Sequence, residues 1–302
     1  MWGIDVAENY QVHANITYNT VTNFDVKLDL FVPISAESTT PAVLYMHGGG
    51  WMSGSSKETS VLETLPFLQL GWAVANVEYR SSSIALAPAA VEDCLCAFRW
   101  VARNAHRYNI DAERIVVMGH SAGGHLALTT GMIPLSSSGL SAPCAFEDMY
   151  LSSPNVRPRP PLELAPAAIV NWYGITDVFD LSDGPNEQGY AVKWLGNQPE
   201  RLAIAKAVSP VNYVRDGLPP TISIHGERDC LVPYDQAVRL HMALGKFGVT
   251  NKLVTIPAGG HGNFGVEVTR RAYGEVFQFL RSAGLQIGAF EEKVSMGTPG
   301  ST

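Results

Sequence analysis

"VVMGHSAGGHLAL", residues 116–128, is a short apolar run that meets Gly119-His120-Ser121-Ala122-Gly123 and passes at once into a helix-forming segment. This is G-x-S-x-G in the setting that gives it meaning: a strand, a sharp turn and a helix. Glycines two before and two after the serine allow a turn too tight for side chains. The turn lifts the Ser121 hydroxyl above a sheet, at a helix N-terminus where negative charge is favoured. The pentapeptide alone arises by chance often. Its local context makes Ser121 a candidate nucleophile and the chain an α/β protein.

N-terminal to this turn, "HANITYNT" (13–20) and "DVKLDLFVP" (25–33) alternate polar and apolar residues as a half-buried hairpin does. The texture then changes to short, continuously apolar runs: "AVLYMH" (42–47), "AVANVEY" (73–79), "RIVVMG" (114–119), "AAIVNWY" (167–173), "TISIHG" (221–226) and "KLVTIP" (252–257). Such strands are buried on both faces and belong to parallel sheets. Helical patterns lie between them. Val91, Leu95, Phe98, Ala102 and Ala105 recur at helical spacing after Pro88, a second helix follows Pro233 and stops at Gly248, and a last one spans about 267–283. Alternating strand and helix predicts a mostly parallel sheet with helices on both faces.

Composition sets limits. The 302 residues are 46% hydrophobic and 16% charged, with a net charge of −7, which argues against a nucleic-acid binder. No run of about 18 apolar residues predicts a membrane span. "MWGIDVAENY" lacks the layout of a secretory signal, which leaves a cytoplasmic protein or a secreted one already processed. Cys94, Cys96, Cys144 and Cys230 complete no zinc-like spacing, so no metal is expected, and all four read as buried free thiols. Residues 133–166, rich in Ser and Pro, read either as a lid or as a surface insertion. Residues 1–284 are expected to form one domain, and 285–302 a disordered tail.

A serine hydroxyl needs a base. His261, in "PAGGHGNFG", sits in a glycine-rich loop between the last strand and the last helix, where the order Ser, acid, His requires it. His13, His106, His125 and His241 read as surface or packing residues, His120 as directed away by the turn, and His225 as bonded locally. The orienting acid follows a strand between Ser121 and His261. "TISIHGERDCLVPYDQ" offers Glu227, Asp229 and Asp235, and Asp229 is the best placed, in a loop closed by Pro233. Its task is to hold the His261 tautomer and stabilise the imidazolium.

"HGGGW" (47–51) ends the first buried strand. A Walker loop needs a lysine where Ser55 stands, and a dinucleotide fingerprint needs a glycine where Ser53 stands, so both phosphate readings fail. An oxyanion hole needs only bare backbone N–H groups, and an HGGG-type motif supplies them in esterases. Gly48 and Gly49 are the expected donors beside the Ala122 N–H, each contributing about 3 kcal/mol. Gly50, Trp51 and His120 are assigned to the pocket wall.

Taken in order, "HGGGW", "VEYR", "GHSAGGHLA", "NWYG", "SPVNYV", "PPTISIHGERDCLVP" and "GGHG" resemble the α/β-hydrolase esterases of the hormone-sensitive-lipase type, and most closely the bifunctional feruloyl and acetyl-xylan esterase-like group, over about residues 15–284. The resemblance implies an eight-stranded α/β-hydrolase sheet, a triad of Ser121, His261 and Asp229, and no cofactor. Its implied substrates are short-acyl or aryl esters, small molecules or acylated polysaccharide fragments, cleaved through an acyl-enzyme. Aryl formamidases and peptidases use the same machinery and stay open. Two departures stand out: the hormone-sensitive-lipase pattern has Asp where this chain has His120, and its long N-terminal cap has no counterpart here. A small or absent cap implies an open site.

Overall fold

Continuous apolar runs become strands because both faces of each are covered, which removes about 25 cal/mol per Å² of apolar surface from water. A computed structural model describes residues 8–34, 38–57, 60–134, 140, 144 and 165–287. β1 (Tyr10–Val21) and β2 (Phe24–Pro33) form an antiparallel hairpin. They are followed by β3 (Thr40–Met46), β4 (Ala73–Val77), β5 (Ile110–His120), β6 (Ala168–Trp172), β7 (Thr221–Gly226) and β8 (Asn251–Ile256). The eight strands form one sheet in the order β1-β2-β4-β3-β5-β6-β7-β8. β2 runs antiparallel to β1 and β4; from β4 to β8 every pair is parallel. The mostly parallel eight-stranded sheet expected of an α/β-hydrolase is present.

Among the described residues the α-helices are α1 (Ser60–Gln69), α2 (Ala89–Asn104), α3 (Ala122–Met132), α4 (Gly189–Leu195), α5 (Arg201–Ala207), α6 (Tyr234–Lys246) and α7 (Val266–Ser282). Alternate residues of each strand feed two cores. Ala42, Leu44 and Met46 of β3 join Val91, Leu95 and Phe98 of α2 and Leu126 of α3. Val43 and Tyr45 join Phe67 of α1 and Tyr273, Val276 and Phe277 of α7 on the other face. Helices on both faces leave the C-terminal strand ends as the open edge, where ligands of such sheets bind.

Inside the first core, "VEYR" acquires a structural role. The Arg80 guanidinium reaches Asp93 of α2 through Nε and Nη2, both at 2.9 Å, and Asp93 also accepts the Arg80 backbone N–H at 2.9 Å. The Asp93 side chain is fully buried, so the pair fastens the segment after β4 to α2.

The cysteines require a correction. Cys96 and Cys144 form a disulfide with a Cα–Cα distance of 5.7 Å, Cys94 is buried and free, and Cys230 is exposed. The bridge joins α2 to a position 48 residues later, a closeness that no local spacing encodes. Apart from Leu140 and Cys144, the segment between residues 134 and 165 that reads as a lid or an insertion lies outside the described residues, as does 288–302 of the expected tail.

Candidate active site

Ser121 follows β5 with φ 56° and ψ −120°, a backbone conformation an L-residue keeps only when its surroundings enforce it. The enforcement is visible. The Ser121 N–H donates to Trp172 O at 2.9 Å, tying the turn to β6, and the His125 N–H donates to Ser121 O at 3.1 Å as α3 begins. A Cβ on Gly123 would lie 2.0 Å from Met46 O, so α3 can meet the end of β3 only with glycine there.

Two loops bring the other candidates to this turn. Asp229 lies just beyond β7 and His261 just beyond β8, and the Arg228 N–H donates to Gly259 O at 2.8 Å to hold the loops together. His261 Nδ1 is 2.7 Å from Asp229 Oδ2, and His261 Nε2 is 2.8 Å from Ser121 Oγ. Asp229 Oδ1 accepts the Leu231 and Val232 N–H groups, each at 2.9 Å. His225 Nε2 lies 2.9 Å from Val232 O and 3.3 Å from Asp229 Oδ2. Both of those neighbours are acceptors, so Nε2 carries the His225 proton.

Burial alone would raise the Asp229 carboxyl. Hydrogen bonds from His225, His261 and Val232, with the His261 charge, outweigh it and hold the group well below the usual carboxylate range. An ionised Asp229 only accepts, so His261 Nδ1 must donate to it and Nε2 is left as acceptor for the Ser121 hydroxyl. Glu227 accepts the Ala258 N–H at 3.3 Å instead, and Asp235 binds Arg239 Nε at 2.8 Å. Neither approaches His261.

The glycine run borders the same space. Its entry is fixed by His47, whose ring stacks on Tyr79 at 4.3 Å and whose Nδ1 donates to Gly48 O at 2.7 Å. Gly49 has φ +115° and a Cβ there would lie 1.9 Å from Ser53 O, so only glycine fits. Gly48 abuts the serine turn: a Cβ on it would lie 3.5 Å from Ser121 Cβ. Ala122 is fully buried and opens α3, where the first N–H groups have no partner within the helix.

A cavity of about 660 Å³ joins these parts, lined by Ser121, His261, Gly48, Gly49, Gly50 and His120 among others. Trp51 is the correction. It is fully buried behind the cavity, stacked on Trp194 at 4.1 Å, with Nε1 donating to His125 Nδ1 at 3.2 Å. Its φ of +59° turns the indole down into the core. His120 lines the cavity, in keeping with its assignment to the pocket wall, and is stacked on Trp172 at 5.1 Å; the turn does not direct it away.

Glu63, Tyr173 and Tyr190 also line the cavity and were not anticipated. Tyr173 had a signal, because it follows β6 at the open edge of the sheet. Glu63 and Tyr190 reach in from helices that the apolar pattern does not announce. Among the described residues, no group of three or more His, Cys, Asp or Glu side chains is placed to hold a metal ion.

The BD-FAE family model matches residues 28–244. A solved truncated form of a carbohydrate esterase from gut microbiota superposes with a TM-score of 0.73, at 25% identity over 90% of this chain and 97% of that one. Esterase 2 of Thermogutta terrifontis, solved phosphoramylated by tabun, gives a TM-score of 0.71 at 28% identity over 91% of this chain and 95% of that one. Esterase LipQ of Mycobacterium tuberculosis is 26% identical over 86% of this chain. The chain spans 59% of LipQ and only 14% of another curated relative that it matches.

Proposed function

Because the chain belongs to the BD-FAE family of α/β-hydrolase esterases, we propose that it is a carboxylic ester hydrolase with Ser121 as nucleophile, His261 as base and Asp229 as orienting acid. The observation that carries the reading is His261, whose two ring nitrogens lie 2.8 Å from Ser121 Oγ and 2.7 Å from Asp229 Oδ2. Ser121 Oγ attacks the ester carbonyl while His261 Nε2 takes its proton. Gly48, Gly49 and Ala122 offer N–H groups to the oxyanion. As the tetrahedral species collapses, His261 returns the proton to the departing alcohol, leaving an acyl group on Ser121. His261 then takes a proton from water as the water oxygen attacks the acyl carbon, and on collapse gives it to Ser121 Oγ, so that the acid leaves and the serine hydroxyl is restored.

The proposed substrates are short-acyl or aryl esters. The resemblance to the feruloyl and acetyl-xylan esterase-like group supports this, as does the cavity, where the apolar surfaces of Tyr190 and Leu231 share the lining with Ser121. Purified Ser121→Ala is expected to lose p-nitrophenyl acetate hydrolysis by a factor of about 10⁴ or more. Wild-type rates in that variant would overturn the mechanism.

A further inference from the structure

Tyr173 is the first residue after β6 and stands in the cavity wall beside His261. Its φ of +40° lies in the left-handed region, which a bulky L-residue keeps only when its surroundings hold it there. The Tyr173 N–H donates to Ile224 O at 2.7 Å, and the next N–H, of Gly174, donates to Asn171 Oδ1 at 2.9 Å. The ring is in edge-to-face contact with His261 at 4.7 Å and with Phe264 at 5.6 Å. Gly262 leaves room for the far end of the ring: a Cβ there would lie 2.5 Å from the Tyr173 hydroxyl oxygen.

This fixed ring ends in a hydroxyl with nothing to bond. Tyrosine hydroxyls shielded by a fold ordinarily find a partner. That of Tyr190, in the same cavity wall, donates to Leu231 O at 2.9 Å, that of Tyr79 to His47 O at 2.9 Å, and that of Tyr213 to Ala207 O at 2.7 Å. The Tyr45 hydroxyl lacks a partner but is sealed in the core. The Tyr173 hydroxyl has no partner among the described residues either, yet it is not sealed off and remains open to the cavity. Burial, with Glu63 and Asp229 adding to it, raises this hydroxyl above its ordinary value, so it stays protonated and can donate.

Its neighbours determine which part of a substrate it meets. In the proposed mechanism His261 protonates the departing alcohol, so the alcohol portion lies against His261. Gly262, next in the chain, and Tyr173 continue that wall.

We propose that Tyr173 is a specificity-determining residue whose hydroxyl donates to an oxygen on the alcohol portion of the ester, such as a hydroxyl beside the ester linkage. The proposal rests on the ester-hydrolase reading above. An alcohol without that oxygen covers the donor and leaves it unpaired, and the site discriminates against it.

The test compares kcat/KM for 2-hydroxyethyl acetate and for propyl acetate, which match in size and differ by one oxygen on the alcohol, by titrating released acid. Tyr173→Phe keeps the ring and removes only the donor. It is expected to lower the ratio of the hydroxylated to the plain ester about fivefold, the net worth of one hydrogen bond. The intrinsic reactivity of each ester is common to both enzymes and cancels. The ratio of 2-methoxyethyl acetate, whose ether oxygen only accepts, to butyl acetate should fall by the same factor. Ratios unchanged in Tyr173→Phe, including ratios unchanged because all rates fall together, mean that the tyrosine only packs, and overturn the proposal. Full activity of Ser121→Ala on these esters would instead overturn the reading on which it rests.

Discussion

Replacing Asp229 with asparagine interrogates every hydrogen bond of the site at once. The carboxylate accepts on both oxygens: Oδ1 from two backbone N–H groups at 2.9 Å, Oδ2 from His261 and His225. An amide has one acceptor and one donor end. Its nitrogen on the Oδ1 side would oppose two N–H donors, at about 1–3 kcal/mol for each left unsatisfied. Turned toward the histidines, it opposes only the weaker His225 contact, since His225 keeps Val232 O at 2.9 Å. The fold selects the second orientation. His261 Nδ1 then becomes the acceptor, its proton moves to Nε2, and that proton faces the Ser121 hydroxyl it should receive. We expect Asp229→Asn to fold with a stability loss of about 1–3 kcal/mol. Its kcat on p-nitrophenyl acetate should fall about 10⁴-fold, or about 5 kcal/mol of barrier. Urea denaturation and initial rates measure the two quantities. A folded variant with kcat within tenfold of wild type would refute the tautomer argument.

Three further outcomes follow from features outside the reacting atoms. Asp93→Ala takes from the buried Arg80 guanidinium its closest partner, leaving the longer contact to Glu92 at 3.5 Å, and should cost up to about 3–5 kcal/mol in urea denaturation, with no effect expected from the same change at exposed Asp183. Removing the disulfide by Cys96→Ser with Cys144→Ser should lower stability by up to about 4 kcal/mol, the loop-entropy value for a 48-residue separation. Because burial raises Glu63 from 4.5 to about 7, the stability it contributes is present below pH 4.5 and is lost as pH rises through 7. Glu63→Gln removes this dependence, so melting temperatures of variant and wild type should diverge in the variant's favour between pH 4.5 and pH 8; a constant gap would count against a buried carboxyl.

The parallel strands were legible because burial on both faces leaves uninterrupted apolar runs, and each run from "AVLYMH" to "KLVTIP" coincides with a strand. The helices α4 and α5 were not, since 7 residues are too few to show a period, and Pro66 obscures α1. Ser121, His261 and Asp229 could be nominated from chain order and loop position, and the fold brings the three together. Trp51 could not be placed. A residue next to an open glycine loop points into the cavity or into the core according to one backbone angle. Glu63 was invisible for another reason: its place in the cavity wall depends on which helix face meets the sheet edge, a tertiary fact. The Cys96–Cys144 bridge belongs to the same class.

Labelling by a fluorophosphonate, followed by intact mass and peptide mapping, reports on the reactive hydroxyl itself. One adduct per chain, on the peptide containing Ser121, is the expected result, with no adduct on Ser121→Ala and slow labelling of Asp229→Asn. An adduct on any other residue, or equal labelling of Ser121→Ala, would contradict Ser121 as the nucleophile.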